Sequence, residues 1–308
     1  MPKVSVVIPS YNCAQYLAEA VESVLAQTYR DFEIVVVDDG SKDNTEEVAR
    51  PYGSKIQYLQ QENRGLPGAR NTGIRATCGE YIALLDADDS WFPEKLARQI
   101  PEFADPQVGL VYSDLRVVYD NGEVVPSFLS SRPLAASGFV FDRVLQSGFI
   151  IPSSVILRRS CVEQVGLFDE SMRSQEDVEM WLRVCLRWKV KLVAEPLVNR
   201  RQRAGALTEN DDLRTAYHIK LFQKALEIPG LSAENRERIH RRLANSYFER
   251  GYYCLHQGKI AECRESLRSS LQYDWRNPGA LRSLVASYLP RPLLARMKRL
   301  RTGSKSNA

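Results

Sequence analysis

No stretch of this sequence approaches the roughly 18 consecutive apolar residues that a membrane-spanning helix needs. The N-terminus also lacks the basic region and long apolar core of a secretory signal. Both absences point to the cytoplasm. The six cysteines, Cys13, Cys78, Cys161, Cys185, Cys254 and Cys263, include no C-x-x-C pair, so buried free thiols are expected. The three histidines, His218, His240 and His256, fall in the last third and form no zinc constellation. The dinucleotide fingerprint G-x-G-x-x-G is missing, which argues against a Rossmann dehydrogenase. An excess of one charge is missing from the body of the chain too. The net charge is +4 over 308 residues, but residues 291–308 alone carry six cations and no acid, leaving −2 for the rest. That balance gives no basic footprint for nucleic acid.

What is present is an ordinary globular composition, 44% hydrophobic and 26% charged, with strand and helix signals in alternation. Residues 4–8 (VSVVI, ended by Pro9) and 33–37 (EIVVV) are Val-rich runs without polar alternation, which suit parallel strands buried on both faces. Residues 14–28 show helical spacing in Leu17, Val21, Val24 and Leu25. Ser41 or Asp43 can cap the helix after the second strand. Residues 56–59 predict a weaker strand, Gly65 opens a helix with Pro67 in its first turn, and residues 81–85 predict the next strand. This alternation indicates an α/β domain with a mostly parallel sheet. Ligands in such sheets sit beyond the carboxyl ends of the strands. Polar clusters stand at three of those ends, at residues 9–12, 38–41 and 86–89.

Residues 110–112 and 116–119 read as separate strands before a turn at Asp120-Asn121-Gly122, and residues 154–157 as another. Residues 176–188 predict a helix with Val178, Trp181, Leu182 and Cys185 on one face. Residues 191–194 predict a short last strand before Pro196. After about residue 205 only helices are expected, over 211–228, 233–257, 259–273 and 278–289. Within them Gly251, Leu255, Gly258, Leu267, Leu271 and Pro278 resemble a single tetratricopeptide unit, which cannot bury its apolar face alone. The expected divisions are 1–205, a helical region over 206–290, and a basic tail over 291–308.

The run YIALL stops at Asp86, Asp88 and Asp89. Carboxylates this close repel one another and cost solvation energy when buried. If strand geometry persists past Leu85, Asp86 and Asp88 share a face and offer hard oxygen ligands to Mg²⁺ or Mn²⁺. The alternative is a solvated acidic turn capping a helix that starts near Pro93. Taken alone, the motif favours the turn.

Five segments in order reverse that preference: VSVVIPSYNCAQYL, VVVDDGSKDNT, NRGLPGARNTGIRATCGEYIALLDADD, VGLFDE and EDVEMWLRV. Over roughly residues 3–205 the chain resembles the family-two inverting glycosyltransferases of GT-A fold. The resemblance implies an α/β nucleotide-sugar-binding domain with a mostly parallel mixed sheet, followed here by the α-helical C-terminal region. It implies a nucleoside-diphosphate sugar donor, a carbohydrate or polyprenyl-linked acceptor, and a divalent cation, Mn²⁺ or Mg²⁺.

Residue by residue, the resemblance implies that Pro9, Tyr11 and Asn12 line the nucleotide pocket. Asp39 would accept a hydrogen bond from the base, favouring uracil or thymine with its N–H; a helix cap is its other reading. Arg70 would lie near the pyrophosphate or base, Asp86 near the ribose or metal, and Asp88 would be the principal metal ligand. Asp89 has no assigned role. Asp177 would be the catalytic base. An inverting transfer is an in-line displacement, so a carboxylate must take the acceptor proton opposite the leaving group, while cations stabilise the departing diphosphate. Without the resemblance, Glu176-Asp177 reads as a charge pair at a helix N-terminus. Trp181 borders the acceptor pocket or packs in the core. The chain departs from the family in RRQRAGALT, where Arg203 stands in place of the usual histidine. Arginine cannot ligate a metal but can hold phosphate, so Arg201 and Arg203 are expected to close over the diphosphate.

The tail, with Leu293, Leu294, Met297 and Leu300 among its cations, is either a solvated basic end or a peripheral contact with the inner face of a membrane. Two rival functions have less support. A nucleotidyltransferase would need a Gly-rich, cation-bearing loop after the first strand, and none is seen. A binding module without catalysis would not need Asp86, Asp88 and Asp177 intact.

Overall fold

The computed structural model describes residues 2–202 and 211–289. The chain divides into two compact units, one up to Ala206 and one from Leu207. In the first unit β1 (Val4–Ser10), α1 (Ala14–Leu25), β2 (Phe32–Asp38), α2 (Thr45–Ala49), β3 (Gln57–Gln60), α3 (Gly65–Arg75) and β4 (Tyr81–Leu84) alternate as the sequence predicts. There follow β5 (Ser90–Trp91), α4 (Lys95–Gln99), β6 (Val108–Tyr119), β7 (Val124–Val125), α5 (Phe141–Gln146), β8 (Ile156–Arg158), α6 (Arg159–Val165), α7 (Glu176–Arg187) and β9 (Lys189–Gln202). They build one mixed sheet in the order β3-β2-β1-β4-β8-β6-β9-β5, with β7 on β6. The pairs among β3, β2, β1 and β4 are parallel, as is β6 with β9; β8 runs antiparallel to β4 and β6.

The inner strands are apolar on both faces because helices cover both. Val6, Ile8, Ile34 and Val36 join Leu17, Val21 and Val24 of α1 in one core cluster. Val35 and Val37 pack with Ala69 of α3 on the other face. Gly73 lets α3 lie close to the sheet, since a Cβ there would run into the Val7 side chain. Pro9 does not end β1, contrary to expectation, and the ladder explains why. The Val7 carbonyl accepts from Leu85 on the β4 side at 3.1 Å, so Pro9, two residues on, also faces that side. β4 stops at Leu84. The missing proline N–H therefore lies where no ladder partner is needed.

Two further strand predictions need correction. Residues 108–119 form one strand, not two, and register shifts around Asp114 account for the broken pattern. The last strand runs Lys189–Gln202 instead of stopping before Pro196. Pro196 pairs with Asp114 at that same irregularity, where a bulge tolerates it.

The second unit holds α8 (Asp211–Leu226), α9 (Ala233–His256), α10 (Ile260–Tyr273) and α11 (Pro278–Ala286). Ser232 accepts from the Asn235 amide to cap α9, and Asn277 accepts from Ala280 to cap α11. The tetratricopeptide-like pattern packs α9 on α10. A Cβ on Gly251 would come within 2.7 Å of Leu267 Cγ, and Ser270 Oγ donates to the Ala244 carbonyl at 2.7 Å. No described helix is long and apolar enough to cross a membrane. All six cysteines are free thiols; five are buried as expected, whereas Cys78 is exposed.

Candidate active site

The three polar clusters come together at the carboxyl ends of β1, β2 and β4. After β1, Tyr11 is exposed and Asn12 takes a left-handed φ of 51°, which asparagine tolerates. Asn12 Oδ1 accepts from the Lys42 amide at 2.8 Å, and its own amide donates to Ser41 Oγ at 3.0 Å. The loops after β1 and β2 are thereby tied together.

Asp38 and Asp39 divide their tasks. Asp38 accepts from the Ser41 amide at 2.8 Å and from the Tyr58 hydroxyl at 2.6 Å, so it holds the loop. Asp39 Oδ1 accepts from Gln61 Nε2 at 2.6 Å and from the Arg64 amide at 2.9 Å. Asp39 Oδ2 accepts no bond among the described residues. Asp39 does not cap α2: the residue before that helix is Asn44, and Asp43 Oδ1 takes the Thr45 amide.

At the end of β4 the chain turns instead of continuing as a strand, with the Asp89 amide donating to the Asp86 carbonyl at 3.0 Å. Strand alternation therefore does not place Asp86 beside Asp88. Instead, the turn leaves both partly exposed and buries Asp89. Asp89 Oδ2 accepts from Ser153 Oγ at 2.6 Å and Oδ1 from the Arg201 amide at 2.9 Å. Burial, then the charges of Asp86 and Asp88, push its pKa up to about 8. Asp89 thus clamps β9 and the Ser153 turn to the aspartate loop.

Arg70 is the centre of the arrangement. It is 1% exposed, with Nη2 donating to Asp86 Oδ1 and Nη1 to Glu176 Oε1, each at 2.8 Å. The Phe168 ring lies 5.4 Å from its guanidinium carbon. Burial opposes the charge on Arg70, but Asp86 and Glu176 outweigh it and raise the pKa. Neighbouring Asn71 donates to the Phe168 carbonyl at 2.9 Å and accepts from its amide at 3.0 Å. The VGLFDE segment is thereby held over α3.

Asp177 is the second residue of α7, beside this brace, and the helix follows Gln175, whose left-handed φ of 62° is uncommon for a non-glycine residue. Asp177 Oδ1 accepts from the Val178 amide at 2.8 Å, and Oδ2 carries no hydrogen bond among the described residues. Burial first, then the Glu176 charge, raise its pKa to about 7, against the pull of Arg70. The structure therefore brings Asp86, Arg70, Glu176 and Asp177 together.

Arg201 is placed differently. Its Nη2 meets Glu19 at 2.9 Å and its guanidinium lies 4.7 Å from the Tyr16 ring centre, so it is anchored to α1. Arg203 lies outside the described residues, as does the tail over 291–308. Trp181 packs in the core, donating to the Ile150 carbonyl at 3.1 Å. The sequence offers Glu176 only as half of a charge pair with Asp177, and it does not point to Ser153 at all.

A cation site can be judged by its donors. Asp86 spends Oδ1 on Arg70 and keeps Oδ2, while Asp88 stands two residues on in the same turn. Hard carboxylate oxygens suit Mg²⁺ or Mn²⁺, which complete their shells with water and phosphate. No group of three or more His, Cys, Asp and Glu side chains among the described residues could hold a metal alone. Two carboxylates would leave most of a Mg²⁺ or Mn²⁺ shell to water or phosphate oxygens.

Residues 5–166 match the family described as Glycosyl transferase family 2. The uncharacterized glycosyltransferase RP339 of Rickettsia prowazekii is 34% identical over 242 residues, covering 73% of this chain and 74% of the relative. The UDP-Glc:alpha-D-GlcNAc-diphosphoundecaprenol beta-1,3-glucosyltransferase WfgD of Escherichia coli is 31% identical over 59% of this chain and 69% of its own. Some relatives are much longer: the match spans 31% of an uncharacterized glycosyltransferase of Rickettsia felis, at 35% identity over 59% of this chain. Among solved structures, S. aureus TarS 1-349 in complex with UDP-GlcNAc superposes with a TM-score of 0.65 at 20% identity, over 88% of this chain and 81% of that one. The mannosyltransferase PcManGT from Pyrobaculum calidifontis, in complex with GDP-Man and Mn²⁺, gives 0.62 at 20% identity, over 94% and 81%. These structures share the fold.

Proposed function

The chain belongs to glycosyl transferase family 2, and from that premise we propose that it moves a sugar from a nucleoside-diphosphate donor to an acceptor hydroxyl with inversion. The observation that carries this reading is the buried Arg70 brace, which fixes the aspartate turn at the end of β4 relative to the start of α7. A transferase needs that relation, because donor and base must face each other across the reacting carbon.

On the donor side, Pro9, Tyr11 and Asn12 border the nucleotide. Asp39 Oδ2 accepts the imide N–H of a uracil or thymine, so UDP- and dTDP-sugars are favoured. Asp88 and Asp86 would hold a divalent cation, whose charge offsets that of the leaving diphosphate. Arg203, and Arg201 on release from Glu19, would add positive charge there. On the acceptor side, Asp177 takes the hydroxyl proton at Oδ2. Its raised pKa makes it a stronger base than an exposed aspartate, while it remains ionised above about 7. The diphosphoundecaprenol in the WfgD name and the UDP-GlcNAc in the TarS complex support a sugar-bearing or polyprenyl-linked acceptor and a uridine donor. The same reading makes the protein a cytoplasmic enzyme of cell-surface polysaccharide or lipopolysaccharide assembly.

The test is nucleoside-diphosphate release from a panel of UDP-, dTDP- and GDP-sugars, with and without Mn²⁺, using the intact chain and Asp177→Asn. Metal-dependent release from one pyrimidine sugar, lost in the variant, is expected. Release that survives in the variant removes Asp177 as base. No release or binding with any donor removes the transferase reading.

A further inference from the structure

The helical unit carries a surface that the transfer chemistry does not use. α11 has two unlike faces. Ala280 is fully buried, and Leu284 packs with it against Cys254, Cys263 and Leu267. On the other side Leu281, Val285, Tyr288 and Leu289 stand 54%, 60%, 56% and 37% exposed. At helical spacing these four positions, in α11 and the turn after it, fall within an arc of about 100°. Trp275, just before the helix, is 74% exposed. A soluble surface seldom leaves large apolar side chains grouped this way unless they meet a partner.

Charge says which kind of partner. Asp274 is the last acidic residue; from Trp275 to Ala308 there are eight cations and no acid. Cations also collar the exposed aromatics. The Arg276 guanidinium lies 4.9 Å from the Trp275 ring centre and that of Arg264 3.8 Å from Tyr288, while Arg268 donates to the Tyr288 hydroxyl at 2.9 Å. The surface is therefore apolar at its centre, aromatic at its margin and positive around both. A purely acidic partner would leave the Leu and Val side chains unused, and a neutral apolar partner would leave the arginines unmatched. An anionic bilayer meets all three: acyl chains take Leu281 and Val285, the interface takes Trp275 and Tyr288, and headgroups take the arginines.

We propose that the exposed face of α11, with the arginines around it, docks on anionic phospholipid. This inference is independent of the donor and acceptor reading. The test is co-sedimentation of the full chain with vesicles of phosphatidylcholine alone and of equal parts phosphatidylcholine and phosphatidylglycerol. Light scattering of the protein alone runs beside it. Binding to the mixed vesicles only, reduced by roughly tenfold in Leu281→Glu/Val285→Glu, is expected. Both sites are exposed, and an unchanged denaturation midpoint checks that the variant folds. A second variant, Arg276→Glu/Arg282→Glu, should lose the preference for phosphatidylglycerol. Equal binding to both vesicle types, or undiminished binding by the Leu281→Glu/Val285→Glu variant, overturns the proposal. So does a dimer that disappears in that variant, which would identify a second copy of the chain as the occupant.

Discussion

Arg70 and Lys95 are both buried cations of the α/β unit, 1% and 0% exposed, and the fold treats them in opposite ways. Two carboxylates meet Arg70 at 2.8 Å and keep it charged. Lys95 has the Trp91 ring 4.1 Å away, and its Nζ has no hydrogen-bond partner among the described residues. Burial lowers its pKa well below 10.5. A guanidinium cannot shed its proton and bonds two carboxylates in a fixed plane, whereas an ammonium can become a neutral amine. The fold can therefore use Lys95 as an apolar stem. It must compensate Arg70, and the two compensating carboxylates are those that border the candidate site. Burying an ion pair is a poor source of stability. The gain at Arg70 is position: one rigid cation sets β4, α3 and α7 in a fixed relation.

The largest expected effect removes what that relation serves. Asp177→Asn should cut turnover by about 10²–10⁴-fold, the usual contribution of a general base, with donor affinity unchanged. Arg70→Met should cost about 3–5 kcal/mol by urea denaturation, because Glu176 is left buried and unpaired and the partly exposed Asp86 loses its partner. Arg70→Lys should not restore activity, since one ammonium cannot bridge both carboxylates in a plane.

The pH profile sharpens the comparison next. Burial and the Glu176 charge raise Asp177 to about 7. A base acts only when ionised, so kcat/KM should fall about tenfold per unit below that pH and level off above it. In Glu176→Gln the repulsion is gone, and the limb should move to lower pH. At Lys95 the sign is reversed from Arg70: Lys95→Met should raise stability by about 1–3 kcal/mol at neutral pH by removing an unpartnered buried amine. The unfolded chain binds a proton there that the folded chain does not. Parent stability therefore rises with pH between the lowered value and 10.5, and the advantage of the variant should shrink over that range. The smallest effect is expected on the surface of α9. The Arg238–Glu234 pair is solvent-exposed at one turn's spacing, and Arg238→Ala should leave the denaturation midpoint unchanged.

Sequence pattern exposed the strands whose two faces are both covered. Val4, Val6 and Ile8 need no tertiary information to read as a buried strand. β5 is two residues long and exists because Ser90 and Trp91 pair with Asn199 and Val198, a contact more than a hundred residues away. The sequence pattern ends this strand too early because Pro196 reads as a terminator, whereas a bulge absorbs it in β9. The helices of the second unit are legible to within a few residues, since their order comes from local spacing; the caps at Ser232 and Asn277 come from the structure.

At the site, Asp39, Asp86, Asp88 and Asp177 were legible as residue types in a family pattern. Their organisation was not. Nothing local says that Arg70 lies under the site between Asp86 and Glu176, or that Asp89 points away from its neighbours to Ser153 and the Arg201 amide. The turn from Asp86 to Asp89 likewise depends on a hydrogen bond that alternation would not place.

The most direct test of the account is a calorimetric titration of a UDP-sugar, in Mn²⁺, against the intact chain, Asp88→Ala and Asp177→Asn. The account assigns Asp88 to donor binding and Asp177 to the chemical step alone. It predicts that Asp177→Asn binds the donor as the intact chain does and that Asp88→Ala does not. Undiminished binding by Asp88→Ala, or equal loss in both variants, would contradict that division.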